Sequence, residues 1–550
     1  MKKTIAILLL VLIACMLVLV ACRGDGGGAA PAPIATPAPP AAPGAPTPAP
    51  APPEDVPRPF ITVSVLDAGD FPATRGTIED NDLTQWINEH SPVEVEFIPV
   101  RSAELEMIFT TMLVAGDAPD IIGLFNIMLM ERFAMEGLLL PLDDLLANYA
   151  PTIQGIVTEE LLSFGRLGDN LYSLPRWRDE IGVPNWMMFI RQDWLDNLGL
   201  DMPQTFDEFF DVMYAFTFND PTGTGAQTFG FAGGTGDNPG SPPGINGFER
   251  LLNLYGGMRN RFILMPDGYL EWVDVTPNRL AGFEFAKRLF DAGLVNPEFF
   301  TMNGEQVRRE WITGGVGVIG LGAGAMNVEM LNAMWDYDPN ANPVPVPTLV
   351  SSLGQFAYLQ EPPPGFHVMF PTTNRNPVAS IQYMDWLASD GWHRIQFGYE
   401  DVHWIWHDGF IVPIGDAEER SYFLRRNYNF NLATPYRRTV GDLLAELEFN
   451  YDTMSEAARR AVQIRIDAIN TSMEHTFHHA LPSTFLGVPE AIDLLPDMMA
   501  FALQTYSQAI IDPNISMQDA FDQIVREFDA LGYQEVRRLV NERARELGLR

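Results

Sequence analysis

From residue 60 onward the chain alternates two hydrophobic patterns. Phe60-Ile61-Thr62-Val63-Ser64-Val65-Leu66 is an apolar, β-branched run of the kind that forms a buried strand. Asp67-Ala68-Gly69-Asp70 breaks it, a helix is predicted around 84–90, and Val93-Glu94-Val95-Glu96-Phe97 completes a β-α-β pattern. Residues 105–115 then repeat with helical period and lead into Gly116-Asp117-Ala118-Pro119-Asp120-Ile121-Ile122-Gly123-Leu124. Alternating helices and buried strands predict a parallel sheet covered on both faces. Ligands of such sheets bind where the carboxyl ends of the strands meet loops. Farther along, Tyr172-Ser173-Leu174-Pro175 and Met187-Met188-Phe189-Ile190 read as strands joined by a loop, and Phe366-His367-Val368-Met369-Phe370 as another strand. Long helices are predicted at about 455–477, 490–511, 516–530 and 534–547.

The N-terminus carries a different pattern. Lys2 and Lys3 precede an apolar segment from Thr4 to Val18, the n- and h-regions of a secretion signal. Leu19-Val20-Ala21-Cys22 resembles the bacterial lipobox. The resemblance implies cleavage before Cys22, a diacylglycerol thioether on its thiol, and work outside the cytoplasm. Leu12-Ile13-Ala14-Cys15 also fits the lipobox pattern, and a retained transmembrane anchor is a third reading. Cys22 is the better fit, because the apolar run stops there and Arg23-Gly24-Asp25 follows at once. That tripeptide is too short to be read as an adhesion motif. Residues 22–58 form a Pro/Ala-rich tether that favours extended polyproline II and cannot build a core.

Composition narrows the rest. About 490 residues follow the tether, more than one core usually serves, so two lobes are expected. The only cysteines are Cys15 and Cys22, so the exported domain must be stable without disulfides. The formal charge is −36, and −38 once Lys2 and Lys3 leave with the signal. Such a surface repels nucleic acid and anionic headgroups, which excludes both as natural partners. Lys287 is the only lysine of the mature chain.

Several tracts together resemble extracellular solute-binding proteins of family 1, the lipoprotein receptors of ABC importers for sugars and oligosaccharides. They are Ala115-Gly116-Asp117-Ala118-Pro119-Asp120-Ile121, Gly137-Leu138-Leu139-Leu140-Pro141-Leu142-Asp143, and Arg191-Gln192-Asp193-Trp194-Leu195-Asp196-Asn197-Leu198-Gly199-Leu200 with Pro203-Gln204-Thr205-Phe206-Asp207-Glu208-Phe209. Near the C-terminus, Gly398-Tyr399-Glu400-Asp401-Val402-His403-Trp404 is similar to the family's closing motif. The resemblance implies an α/β, two-lobe clamp of the type II periplasmic-binding-protein kind with a C-terminal helical region. One lobe is expected from 59–178 with 366–409, the other from 179–365 with 410–550. It also implies a monomer with a carbohydrate ligand, ABC permease subunits as partners, and membrane attachment through lipid alone.

Sugar recognition calls for flat aromatic faces against pyranose C–H groups, and for carboxylates, amides and arginines against hydroxyls. Such residues cluster on three predicted loops: Trp177, Arg178 and Trp186 at the first crossing, Glu400, Asp401, Trp404 and Trp406 in the closing motif, and Asp67, Phe125 and Asn126 at strand ends. Tryptophans at these places also suit plain packing of a lobe interface. The segment from Asp220 to Phe231 has the spacing of an EF-hand-like calcium loop that relatives carry here. Threonines stand at its positions three, five and nine and Phe231 at twelve, so no metal cofactor is expected. Glu474, His475, His478 and His479 could gather on one helix face, yet no second cluster completes a zinc site. Nucleophile-elbow, zincin and P-loop motifs are absent from the sequence, and the domain has no thiol. A binding protein is therefore expected, with a peptide receptor and a two-carboxylate glycosidase as the rival classes.

Overall fold

The computed structural model describes residues 57–67, 75–101, 104–177, 186–235, 247–258, 260–358, 364–407, 410–415, 440–449, 451–474 and 486–549. The signal segment, Cys22 and the tether as far as residue 56 lie outside them. So do Arg178 and the three histidines of the 474–479 cluster.

The strands that matter here, in chain order, are β1 (Phe60–Asp67), β2 (Glu94–Arg101), β3 (Ile122–Leu124), β4 (Leu174–Trp177), β5 (Trp186–Arg191), β6 (Phe229–Thr235), β7 (Val316–Gly322), β8 (Pro343–Pro345), β9 (Pro364–Met369), β10 (Trp404–His407) and β11 (Phe410–Pro413). The helices that frame them are α1 (Asp82–His90), α2 (Leu105–Ala115), α3 (Ile127–Met135), α4 (Gln192–Leu198), α5 (Phe206–Phe218), α6 (Val328–Tyr337), α7 (Pro377–Trp386), α8 (Val440–Glu448), α9 (Glu456–Met473), α10 (Pro489–Ile511), α11 (Met517–Leu531) and α12 (Tyr533–Glu546).

Two sheets define two lobes. In the first, β1 pairs with β2 in parallel, and a bridge from Val63 to Ile121 joins β1 to the start of β3. Strand β9 then runs antiparallel between β3 and β4. In the second sheet the order is β8-β5-β7-β6, with β7 antiparallel to β5 and parallel to β6. Each sheet has its own hydrophobic core. The smaller core runs from Ile61 to Leu174 and resumes from Phe366 to Ile395. The larger combines Met187 to Tyr358 with Ala461 to Ala544, so the C-terminal helices belong to the second lobe.

Local chemistry explains where elements start and stop. Asn81 and Thr84 form a reciprocal capping box for α1, and Thr205 with Glu208 does the same for α5. Helix α2 ends at Gly116, whose left-handed φ of 77° suits a residue without a Cβ. Buried polar residues tie the strands together. Asp120, 4% exposed, accepts the Thr62 N–H at 2.8 Å, the Thr62 hydroxyl at 3.0 Å and the Arg375 N–H at 2.7 Å. One carboxylate thus joins β1, the β3 approach and the loop before α7. In the second lobe, Arg191 Nε donates to Asp193 Oδ1 at 2.8 Å and Nη2 to Asp338 Oδ2 at 2.6 Å, and the guanidinium lies 5.2 Å from the Trp194 ring centre. That fork fastens the end of β5 and the start of α4 to the turn following α6.

Contacts also pass between the lobes. Met128 and Met135 of α3 pack against the larger core, and α3 touches α10. Leu167 packs against both cores.

Candidate ligand-binding cleft

The registers place the sequence-predicted residues on particular edges. In the first sheet, β1, β3 and β4 run parallel and β9 runs against them, so the carboxyl ends of three strands share an edge with the start of β9. Asp67 ends β1 opposite Arg101, and Phe125 and Asn126 follow β3 directly. Trp177 ends β4 opposite Pro364, and Phe366 pairs with Arg176. In the second sheet Trp186 begins β5 opposite Gly322, the last residue of β7. The chain therefore leaves the first sheet at its carboxyl edge and enters the second where β6 and β7 end. These two edges form the candidate cleft, consistent with ligand placement in α/β sheets.

Side chains at the first edge form a connected set. Phe125 is 50% exposed, and its ring meets Phe366 edge-on at 4.8 Å and 69°. The Arg176 guanidinium lies 5.8 Å from the Phe366 ring centre. Asn126 is committed to structure: its Oδ1 accepts the N–H groups of Met128 and Leu129, capping α3, and its Nδ2 donates to Glu106 Oε1 at 2.9 Å. Arg176 belongs to the crossing-loop cluster that the sequence singles out, whereas Phe366 and Glu106 were not among the predicted site residues. The pairing of β9 with β3 and β4 brings Phe366 and Arg176 to Phe125, and the bond from Asn126 brings Glu106 of α2 to the same edge.

The closing motif is a self-contained folded turn. Asp401 adopts a φ of 62°, and its N–H donates to the Trp404 carbonyl at 2.8 Å. The Tyr399 N–H donates to His403 Nδ1 at 2.9 Å, and the Trp404 indole N–H reaches the Gly398 carbonyl at 3.3 Å. Trp404, expected as a stacking platform, is only 3% exposed and forms a small core with Trp392, Phe397 and Ile411. His393 lies parallel to it at 5.4 Å. Trp406 is different: it is 47% exposed and stands edge-on to Trp404 at 5.8 Å and 85°. Glu400 and Asp401 are exposed on the same turn. Burial among these rings pushes the His393 pKa down to about 4, so the group stays neutral at physiological pH.

The Asp220 loop does not offer a cation the donors it needs. Asp220 Oδ2 accepts the Gly225 N–H at 3.0 Å, and Oδ1 accepts the Thr224 N–H at 3.2 Å and the Thr222 hydroxyl at 3.1 Å. Thr228 spends its hydroxyl on the Phe216 carbonyl, and Phe231, where a bidentate carboxylate would be required, is fully buried in the core. The loop closes on its own hydrogen bonds instead. Among the described residues no cluster of three or more His, Cys, Asp or Glu side chains is placed to hold a metal.

Two cores, two crossing-side edges and a folded closing turn define a clamp of the periplasmic-binding-protein kind, α/β in class with extra helices at its C-terminus. The chain belongs to the bacterial extracellular solute-binding protein family, whose model matches residues 75–393. Among curated proteins it is 31% identical over 204 residues to the fructooligosaccharide ABC transporter substrate-binding protein FusA of Streptococcus pneumoniae serotype 4, covering 34% of this chain. It is also 32% identical over 183 residues to lipoprotein LipO of Bacillus subtilis, covering 33% of this chain. These alignments span about a third of each relative, 36% and 34% of their lengths. Among solved structures, S. pneumoniae FusA in complex with kestose superposes with a TM-score of 0.65 at 17% identity, covering 89% of this chain and all of that one. Alginate-binding protein AlgQ2 without calcium ion gives 0.65 at 17% identity, covering 88% and 98%. At such identities the likeness is one of fold.

Proposed function

We propose that this protein is the lipid-anchored, extracellular substrate-binding component of an ABC importer, and that it holds an oligosaccharide between its two lobes. The observation that carries the reading is the gathering of Asp67, Phe125, Arg176 and Phe366 at one sheet edge, facing the crossing to the second lobe. One half-exposed ring, Phe125, backed by the buried Phe366 and beside charged groups, suits the mixed apolar and hydroxyl surface of a sugar. The names of FusA and of its kestose complex, which refer to those proteins, point the same way.

We draw the lobes at 59–178 with 366–409 and at 179–365 with 410–550. The separate cores support the division of 61–174 and 366–395 from 187–358 and 461–544, while the bound at 409 falls inside the β10–β11 hairpin. Ligand touching both lobes favours the closed clamp by differential contact, and the closed form then docks on permease subunits. The chain acts as a carrier and not as a hydrolase. Cys22 carries the lipid, and the Pro/Ala tether keeps the clamp near its transporter, raising its effective concentration there. Two or three acyl chains on one cysteine anchor stably where a single chain would not. At the closing turn, Trp406 is the stacking face and Trp404 the wall behind it. Trp177, Arg178, Trp186, Glu400 and Asp401 complete the proposed contact set.

Thermal-shift screening against mono- and oligosaccharides and against peptides tests the reading. A rise in melting temperature with one class of oligosaccharide is expected. A rise with peptides and none with any sugar would instead make it a peptide receptor, and turnover of a chromogenic glycoside would make it an enzyme.

A further inference from the structure

We infer that Glu106 is the hydroxyl acceptor of the first lobe's edge and that Asn126 is the residue that positions it, an inference that rests on the carbohydrate reading. An amide at position 126 looks suited to bind a hydroxyl directly. Its geometry argues otherwise. Both lone pairs of Asn126 Oδ1 are taken by the Met128 and Leu129 N–H groups at 3.1 and 3.3 Å, and one of its two N–H groups is given to Glu106 Oε1 at 2.9 Å. A carboxylate has about four acceptor positions, so the bond from Asn126 uses one and leaves capacity at Glu106.

Three further features make this carboxylate suitable. Glu106 is exposed, in the first turn of α2, where the helix N-terminus favours negative charge. It stands at the carboxyl edge of the sheet, because α2 follows β2 and Asn126 follows β3. Phe125, next to Asn126 in the chain, is half exposed and braced by Phe366. The edge thus carries an exposed aromatic and, one residue on, the amide that holds this carboxylate in one orientation, so less rotamer freedom is lost on binding than for a free glutamate.

The test is calorimetric titration of the protein with a fixed panel of fructo-, xylo-, manno- and galacturono-oligosaccharides, beside melting curves without ligand. Glu106→Gln retains an acceptor for Asn126 and removes the charge. It is expected to weaken the sugar that the wild type binds at least tenfold with an unchanged melting temperature. Asn126→Ser keeps a helix cap and frees the carboxylate. Its expected loss is smaller, and adding it to Glu106→Gln should cost nothing more, a non-additivity that a purely structural Asn126 would not produce. Unchanged affinity in Glu106→Gln overturns this inference alone. Failure of the wild type to bind any sugar of the panel overturns the carbohydrate reading and the inference with it.

Discussion

Ser173 Oγ and His367 Nδ1 lie 2.9 Å apart in the first lobe, both side chains fully or almost fully buried, with His367 next to Phe366 on β9 and Ser173 just before β4. Desolvation pushes the His367 pKa down to about 3, whereas an unfolded chain takes up the proton near pH 6.5. A histidine shifted down favours folding as the neutral form. Its contribution is complete above about pH 6.5 and is lost as pH falls toward the folded value. Between pH 7 and pH 5 the loss should reach roughly 2 kcal/mol. Urea unfolding at the two pH values checks this, with His367→Gln as the comparison. A variant with the same pH slope as the wild type would remove His367 as the cause.

The family motifs are expected to matter for stability before ligand. Asp120 serves Thr62 and Arg375 at once inside the first lobe, so Asp120→Ala strands two backbone N–H groups and a hydroxyl. The expected cost is about 2–4 kcal/mol, read as a lower midpoint in chemical denaturation. Ligand affinity of the molecules that remain folded should not change. A large affinity loss with an unaltered midpoint would move Asp120 into the site.

Trp404 and Trp406 should separate in the same pair of measurements. Trp404→Ala empties the small core shared with Trp392, Phe397 and Ile411, at about 3–5 kcal/mol if that core does not collapse. Trp406→Ala removes a half-exposed ring, so its melting temperature should stay within the scatter of surface variants. On the carbohydrate reading it weakens sugar binding about tenfold, close to 1.4 kcal/mol. Equal affinity in Trp406→Ala and the wild type would strike it from the proposed contacts.

These two tryptophans also show where the sequence stops being informative. They stand two residues apart on one strand and so share a face, and nothing local distinguishes them. The small core ends at Trp404, a fact set by the helix at residues 392–397 and by β11. The elements themselves were legible because their signals are local. The β-α-β opening follows from β-branched runs, and the helices expected near 490–511 and 534–547 occur at Pro489–Ile511 and Tyr533–Glu546. Pro496 inside α10 does not end that helix, whose buried face from Ala491 to Ile510 holds it against the larger core. The fold class was legible from the order of the motifs. The role of Asn126 was not, because an asparagine before a helix reads alike as cap or as ligand group. Glu106, 20 residues earlier in the chain, is its partner only through the fold.

The Asp220 loop gives the last prediction. Its aspartate already satisfies the amides of Thr224 and Gly225, and the side chains that would complete a calcium shell are threonines or, at Phe231, a core aromatic. A divalent ion entering here would find one carboxylate and too few other charged oxygens to complete its shell. The melting temperature should therefore be the same in EDTA and in millimolar calcium. Asp220→Ala should lower it by roughly two degrees in either buffer, since the hydrogen bonds and not a metal close the turn. A calcium-dependent rise in the wild type that disappears in Asp220→Ala would show that the loop binds the ion after all.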